Sequence, residues 1–164
     1  MPELRTERVK DCLIQVPLAA AKKLLTQDYR PSGLYPIVDQ GQTRIAGWTD
    51  DADGLITQGL PVIVFGDHTR AFKFIDFPFA RGADGTQVLK PRPDIDPLFF
   101  FYALRAVDLP SRGYNRHFKA LKEKEIQIPS DDEQIQIARS LKLIDDTLAV
   151  QDVELQTLDR CKRA

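Results

Sequence analysis

The chain has 164 residues of ordinary globular composition, 43% apolar and 29% charged, which excludes a disordered or fibrous polymer and leaves room for one core with one appended element. Lys and Arg number 23 against 24 Asp and Glu, so the net charge carries no global signature of a nucleic-acid binder. The charge is uneven, however: residues 1–126 hold 18 basic and 16 acidic side chains, residues 127–164 hold 5 and 8, and the two parts need separate readings. The longest apolar run, residues 98–104, falls far short of the ~20 residues of a membrane span, and residues 1–10 alternate charges with no apolar stretch after them. A cytoplasmic protein without membrane contact is therefore expected. Cys12 and Cys161 have no Cys or His at zinc-ligand spacing and read as plain thiols.

Residues 17–25 (PLAAAKKLL) have helix-forming composition. From residue 34 the text turns to short runs of Val, Ile and Phe, each ended by Gly, Asp or Pro, and strands are expected at 34–38, 60–65, 71–75 and 86–89. Phe72 and Phe74 flank Lys73 in the period-two pattern of a strand with one buried face, and residues 66–70 between two runs read as a hairpin turn. Residues 97–107 open with Pro97 and are apolar nearly all round, as a helix packed on a sheet would be. A loop over 108–114 and a brief alternating strand at 125–128, stopped by Pro129, follow. The fold class expected is α/β in the α+β sense: a twisted, mainly antiparallel sheet with flanking helices, then one long C-terminal coiled-coil helix.

That helix begins at Ser130-Asp131-Asp132-Glu133, a capping box whose side chains satisfy free amides at a helix start. Residues 131–163 contain neither Pro nor Gly, and apolar residues recur at alternating steps of four and three. Ile137, Ile144, Gln151 and Leu158 fall at one core position of a heptad, and Leu141, Leu148, Leu155 and Lys162 at the other. At ~50 Å, by 1.5 Å per residue, such a helix is longer than a domain of ~125 residues is wide, so much of its seam should meet another chain. The divisions expected are 1–129 and 130–164. Gln151 would fix register at some cost in stability.

Asp51-Ala52-Asp53-Gly54 imitates part of a calcium loop, but the first ligand position would be Thr49 and the last Leu60, so a surface turn is the better reading and no metal site is expected. Asp96-Pro97-Leu98-Phe99 is close to the D-P-P-F signature of amino-methyltransferases, yet Leu98 replaces the second Pro and no glycine-rich cofactor loop follows any strand. His68 and His117, the only near-neutral acid-base groups, lie in polar, basic stretches where a solvated or phosphate-contacting role is expected over catalysis. No catalytic residue and no cofactor are assigned. The densest positive text is residues 109–122 (LPSRGYNRHFKALK), where Arg112, Arg116, Lys119 and Lys122 interleave with Tyr114 and Asn115 and no acidic residue intrudes. Arg, Asn and Lys together suit base edges and phosphates. Gln42-Thr43-Arg44 and His68-Thr69-Arg70 repeat the mixture on two other turns.

Several segments taken in order resemble one half of the specificity subunit of type I restriction-modification systems, a target recognition domain followed by a conserved helical region. They are Gly33-Leu34-Tyr35-Pro36-Ile37-Val38-Asp39-Gln40-Gly41, Pro61-Val62-Ile63-Val64-Phe65-Gly66-Asp67 and Gly85-Thr86-Gln87-Val88-Leu89-Lys90-Pro91. The best match is Leu121-Lys122 leading into Ile126-Gln127-Ile128-Pro129, Glu133-Gln134, Ile137-Ala138 and Leu143-Ile144-Asp145-Asp146. The resemblance spans nearly all of residues 30–150. It implies a non-enzymatic subunit that selects double-stranded DNA for methyltransferase and restriction subunits. Typical members carry two recognition domains and two helical regions, whereas this chain has one of each. That leaves a half-length subunit pairing with a second copy through its last helix, or a fragment. A coiled-coil interaction protein without DNA affinity is the alternative. The recognition residues expected first are Arg112, Asn115 and Arg116, with Tyr114 and Lys119 in support, and then Gln42, Thr43, Arg44, His68 and Arg70.

Overall fold

The computed structural model describes residues 4–16, 23–82, 84–110 and 116–162. Among these residues ten short strands form three sheets, with three α-helices and two short 3-10 helices. The first sheet pairs β1 (Arg5–Arg8) with β10 (Glu125–Ile128), antiparallel, with Arg5 opposite Ile128. The second runs in the order β2 (Leu13–Ile14), β9 (Thr86–Pro91), β6 (Val62–Gly66) and β7 (Phe72–Ile75), every pair antiparallel. The third has the order β4 (Gly47–Thr49), β3 (Tyr35–Val38), β8 (Phe79–Arg81) and β5 (Leu55–Ile56), in which only β3 and β8 are parallel. The expected α+β arrangement of mainly antiparallel strands with flanking helices holds, with the strands divided among three sheets because the core strand is covered on both faces.

That strand is β6. All five of its residues are buried, as an unbroken apolar run between turn signals requires. Its alternate side chains serve two cores. Ile63 and Phe65 join Leu89, Phe100, Leu104, Leu121, Ile126 and Ile128 on the helical side. Val62 and Val64 join Val38, Ile56, Ile75 and Phe79 on the other. On the helical side lies α1 (Pro97–Ala106), capped by the Asp96 carboxylate accepting from the Phe99 amide at 2.8 Å, with Pro97 in its first turn.

Two expectations need correction. Lys73, expected to face water, is buried at 6% exposure, while Phe72 and Phe74 are only partly buried against α1. Both faces of β7 are covered, and the Lys73 ammonium survives burial by donating to the Asp39 carbonyl at 2.7 Å, with the Asp39 carboxylate 3.7 Å away. Burial pulls its pKa below the ordinary lysine value, against the opposing pull of Asp39. The helix expected over 17–25 falls mostly outside the described residues, and residues 23–25 carry no helix.

The first sheet is stapled to the body by charge. Arg92, just past β9, donates to both Glu7 oxygens at 2.8 and 3.1 Å and to both Asp94 oxygens at 3.1 Å, while Arg5 reaches Asp94 at 3.0 Å. The Arg92 hydrogen bonds hold the Asp94 carboxyl at about 2, below its ordinary 3.8. Because the folded pKa is the lower one, this stabilisation is complete above about pH 4 and disappears as pH falls toward 2. The groups are largely exposed, so the effect is on the scale of surface pairs, up to ~1 kcal/mol. Urea midpoints at pH 5 and pH 2.5 should therefore fall further for the parent than for Asp94→Asn. Equal falls would remove Asp94 from the acid response.

Candidate nucleic-acid interface

The turn after β6 is the organising point of one end of the molecule. Gly66 is followed by Asp67, which is 3% exposed, and a Cβ on Gly66 would meet Thr69 Oγ1 at 2.1 Å and the Gln40 carbonyl at 2.5 Å. The close approach binds three segments together. Thr69 Oγ1 donates to the Gln40 carbonyl, and the His68 amide donates to Gln40 Oε1 at 3.3 Å, joining the loop after β3. The Asp67 amide donates to the Gly85 carbonyl at 2.8 Å, joining the turn before β9. The Asp67 carbonyl accepts from the His117 amide at 3.0 Å and stands 2.9 Å from His117 Nδ1, while its carboxylate accepts from the Phe118 amide at 2.7 Å. This last set joins α2 (Phe118–Lys122).

The three polar turns singled out by sequence therefore converge on one edge. Gln42, Thr43 and Arg44 are exposed on the first, and His68 and Arg70 belong to the second. Arg116 and Lys119 are exposed on the third, and neither makes an ion pair with any described residue. Arg112, Tyr114 and Asn115 lie outside the described residues. Lys23, which sequence reasoning passed over, also reaches this edge: it pairs with Asp84 at 3.0 Å, and that contact, reinforced by the nearby Arg116, lowers the Asp84 pKa.

The cations are not equivalent. Arg70 adopts φ 60°, a left-handed conformation uncommon outside glycine, and donates from Nη1 to the Leu109 carbonyl at 2.8 Å. It thereby supports the segment leading to residues 110–116. Arg44 donates to the Asp76 carboxylate at 3.2 Å and lies 5.2 Å from the Phe77 ring centroid, so it is tied to its own domain. Arg116 and Lys119 are the described cations best placed to take a new anionic partner.

His117 overturns its expected solvated role. It is 3% exposed, with Nδ1 against the Asp67 carbonyl, and acts as the buried hinge between turn and helix. Asp67 and Gln40 were missed as organisers; a turn-type Asp directly after a strand-ending Gly was the available signal for the first. Among the described residues no group of three His, Cys, Asp or Glu side chains is arranged to hold a metal, and no helix is long and apolar enough to cross a membrane.

The long helix α3 (Asp131–Lys162) leaves this body from the side of α1. The Glu133 carboxylate accepts from the Ser130 amide at 3.2 Å and from its hydroxyl at 2.7 Å, which makes the Glu133 half of the expected capping box. Its first turns pack on the domain through Gln134, Ala138 and Leu141, and Asp145 accepts from Tyr102 and Arg105. Part of the expected seam is thus used within the chain: Leu141 packs against the core, and Ile137 borders the groove between α1 and β10. Beyond Asp145 the seam is bare, with Leu148, Leu155 and Leu158 each more than half exposed and Gln151 in solvent, and Ile144 just before it is also exposed.

The family model for the type I restriction modification DNA specificity domain matches residues 12–160. The specificity subunit of the type I restriction enzyme EcoR124I/EcoR124II of Escherichia coli is 28% identical over 112 residues, covering 65% of this chain and 28% of the relative. Among solved structures, the S subunit of a type I restriction-modification system from M. genitalium superposes with a TM-score of 0.67 at 22% identity, covering 90% of this chain and 40% of that one. The HsdS subunit from Thermoanaerobacter tengcongensis gives 0.56 at 14% identity, over 90% of this chain and 38% of that one. The chain spans less than half the length of each of these relatives. With the match running from β2 through nearly all of α3, it belongs to the type I restriction modification DNA specificity domain family.

Proposed function

We propose that this chain reads DNA sequence on behalf of a type I restriction-modification complex and performs no chemistry itself. Residues 1–129 act as the recognition domain and 130–164 as a spacer helix. Methyltransferase and restriction subunits, bound elsewhere, supply the reaction. The observation that carries the reading is the meeting of three polar, basic turns at one edge of the domain, joined by Gln40 to the first and by the buried Asp67 to the third. Arg116 and Lys119, with Arg112, Tyr114 and Asn115 from the adjoining segment, make the principal contacts to duplex DNA. Gln42, Thr43, Arg44, His68 and Arg70 border them. The curated relative from Escherichia coli, named as a specificity subunit, supports the same assignment.

Counterion release makes such binding salt-dependent, with a slope in log K against log[salt] of about −0.9 for each phosphate neutralised. Lys119→Ala should flatten that slope by about one unit and weaken all sequences alike, whereas Arg116→Ala should also alter base preference. Fluorescence anisotropy on duplexes across a salt series separates the two. A slope unchanged in Lys119→Ala would remove that residue from the phosphate path.

The bare seam beyond Asp145 favours pairing of two copies through α3, since scattered surface apolar residues do not ordinarily align at heptad spacing along one helix. Two identical domains held apart by the free part of α3, ~26 Å at 1.5 Å per residue, would touch DNA at two separated half-sites. Their target would be an inverted repeat with an unread gap.

A further inference from the structure

The passage of α3 from domain to solvent is abrupt and occurs at one residue. Asp145 accepts a hydrogen bond from the Tyr102 hydroxyl at 3.0 Å and from Arg105 Nη1 at 2.7 Å. Tyr102 is 8% exposed, anchored in the core on α1, and burial together with the Asp145 carboxylate pushes its phenol up to about 12, so it stays a donor at neutral pH. The Arg105 guanidinium is in turn held over the Phe101 and Tyr102 rings, 5.3 and 5.6 Å from their centroids. One carboxylate on α3 is therefore gripped by two donors one helical turn apart on a helix whose inner face is buried in the core. All described side chains after it, from Asp146 to Lys162, are exposed.

We propose that Asp145, gripped by Tyr102 and Arg105, is a specificity-determining positioning residue that fixes the angle at which α3 leaves the domain, and so the length of unread DNA between two half-sites. The inference rests on the reading of a paired, DNA-recognising subunit given above. The lever arm supplies the magnitude. From Asp145 to Lys162 the helix extends ~26 Å at 1.5 Å per residue, so a swing of about 10° displaces its end by ~4.5 Å. That exceeds the ~3.4 Å rise of one base pair. Gln134, Ala138 and Leu141 anchor the earlier turns of α3 on the domain, and Asp145 is the last tie before solvent. Its two directed hydrogen bonds set the angle at which the free part of the helix continues.

The test uses the full chain and a set of duplexes with constant half-sites, chosen by selection on the parent, whose central gap is changed by one and two base pairs in each direction. The parent should prefer one gap by tenfold or more. Asp145→Ala and Tyr102→Phe should flatten that preference to under threefold while leaving base preference within each half-site intact. The charge exchange Asp145→Arg with Arg105→Asp should recover part of the parent profile. A purely structural role would lower affinity for every gap alike. As a second readout, spin labels on the exposed Cys161 and on an introduced A52C, diluted with unlabelled protein, should give a narrow distance distribution in the parent and a broad one in Asp145→Ala. Cys12 is buried with its thiol pushed up to about 11, so it escapes labelling. Unchanged gap preference together with an unchanged distance distribution overturns the assignment of Asp145. A parent that binds duplexes with no gap preference overturns the paired reading and the inference with it, and the two failures are distinct because the second is visible before any substitution is made.

Discussion

Replacing Gln134 by leucine should lower the stability of the protein by about 3 kcal/mol, although the residue lies on a helix surface and the substitution is apolar. Gln134 is 1% exposed. Its Oε1 accepts from the Asp96 amide at 2.8 Å, and its Nε2 donates to the Pro129 carbonyl at 3.0 Å and toward the Asp94 carbonyl at 3.4 Å. One amide side chain therefore ties together the start of α1, the end of β10 and the first turn of α3. Leucine fills the space but leaves the part-buried Asp96 N–H and the Pro129 and Asp94 carbonyls without this partner, at about 1–3 kcal/mol for each group that water does not reach. A Tm reduced by roughly 10 °C follows for a chain of this size. Calorimetry on Gln134→Leu checks it, and a loss below 1 kcal/mol would mean that water reaches these groups when the amide is gone.

The second large effect is on assembly. Leu148→Asp with Leu155→Asp places two charges on the bare part of the seam, where neither residue touches the domain. Sedimentation should show monomer in place of dimer, with the Tm of the recognition domain nearly unchanged. Affinity for a two-part duplex should fall by 10²–10⁴, the loss expected when a second binding event ceases to be intramolecular. Affinity for a single half-site should stay as it was. Leu141 is unsuitable for this test, because it packs against its own core and its replacement would confuse unfolding with dissociation. A dimer that persisted through both substitutions would place the contact elsewhere.

Sequence reading succeeded where the physics is local. The apolar run of β6, the alternation of β10, the Pro97 start of α1 and the reach of Glu133 back to Ser130 are each set by neighbours within a few residues. It failed where distant segments decide. β1 is four polar or charged residues, and becomes a strand because Glu125–Ile128 offers it an edge. β2, β4 and β5, of two or three residues each, have no period to detect. Lys73 is buried because Asp39 arrives from a loop 34 positions earlier, and His117 because Asp67 arrives from 50 positions earlier. The same holds for the candidate interface. Each polar turn was visible singly, but their common edge depends on the Gly66 close approach to Gln40, which no spacing announces. The heptad seam was legible as a pattern, while its division into a domain-facing part and a bare part at Asp145 required α1 in place.

The most direct measurement is selection from a random duplex library by the intact chain, alone and together with a methyltransferase subunit from the same system. The expected product is one short motif in two parts, inverted about a gap of constant length, enriched in either setting and lost in a variant carrying both Arg116→Ala and Lys119→Ala. Recovery of no motif in either setting would contradict the assignment of this chain as the reader of DNA.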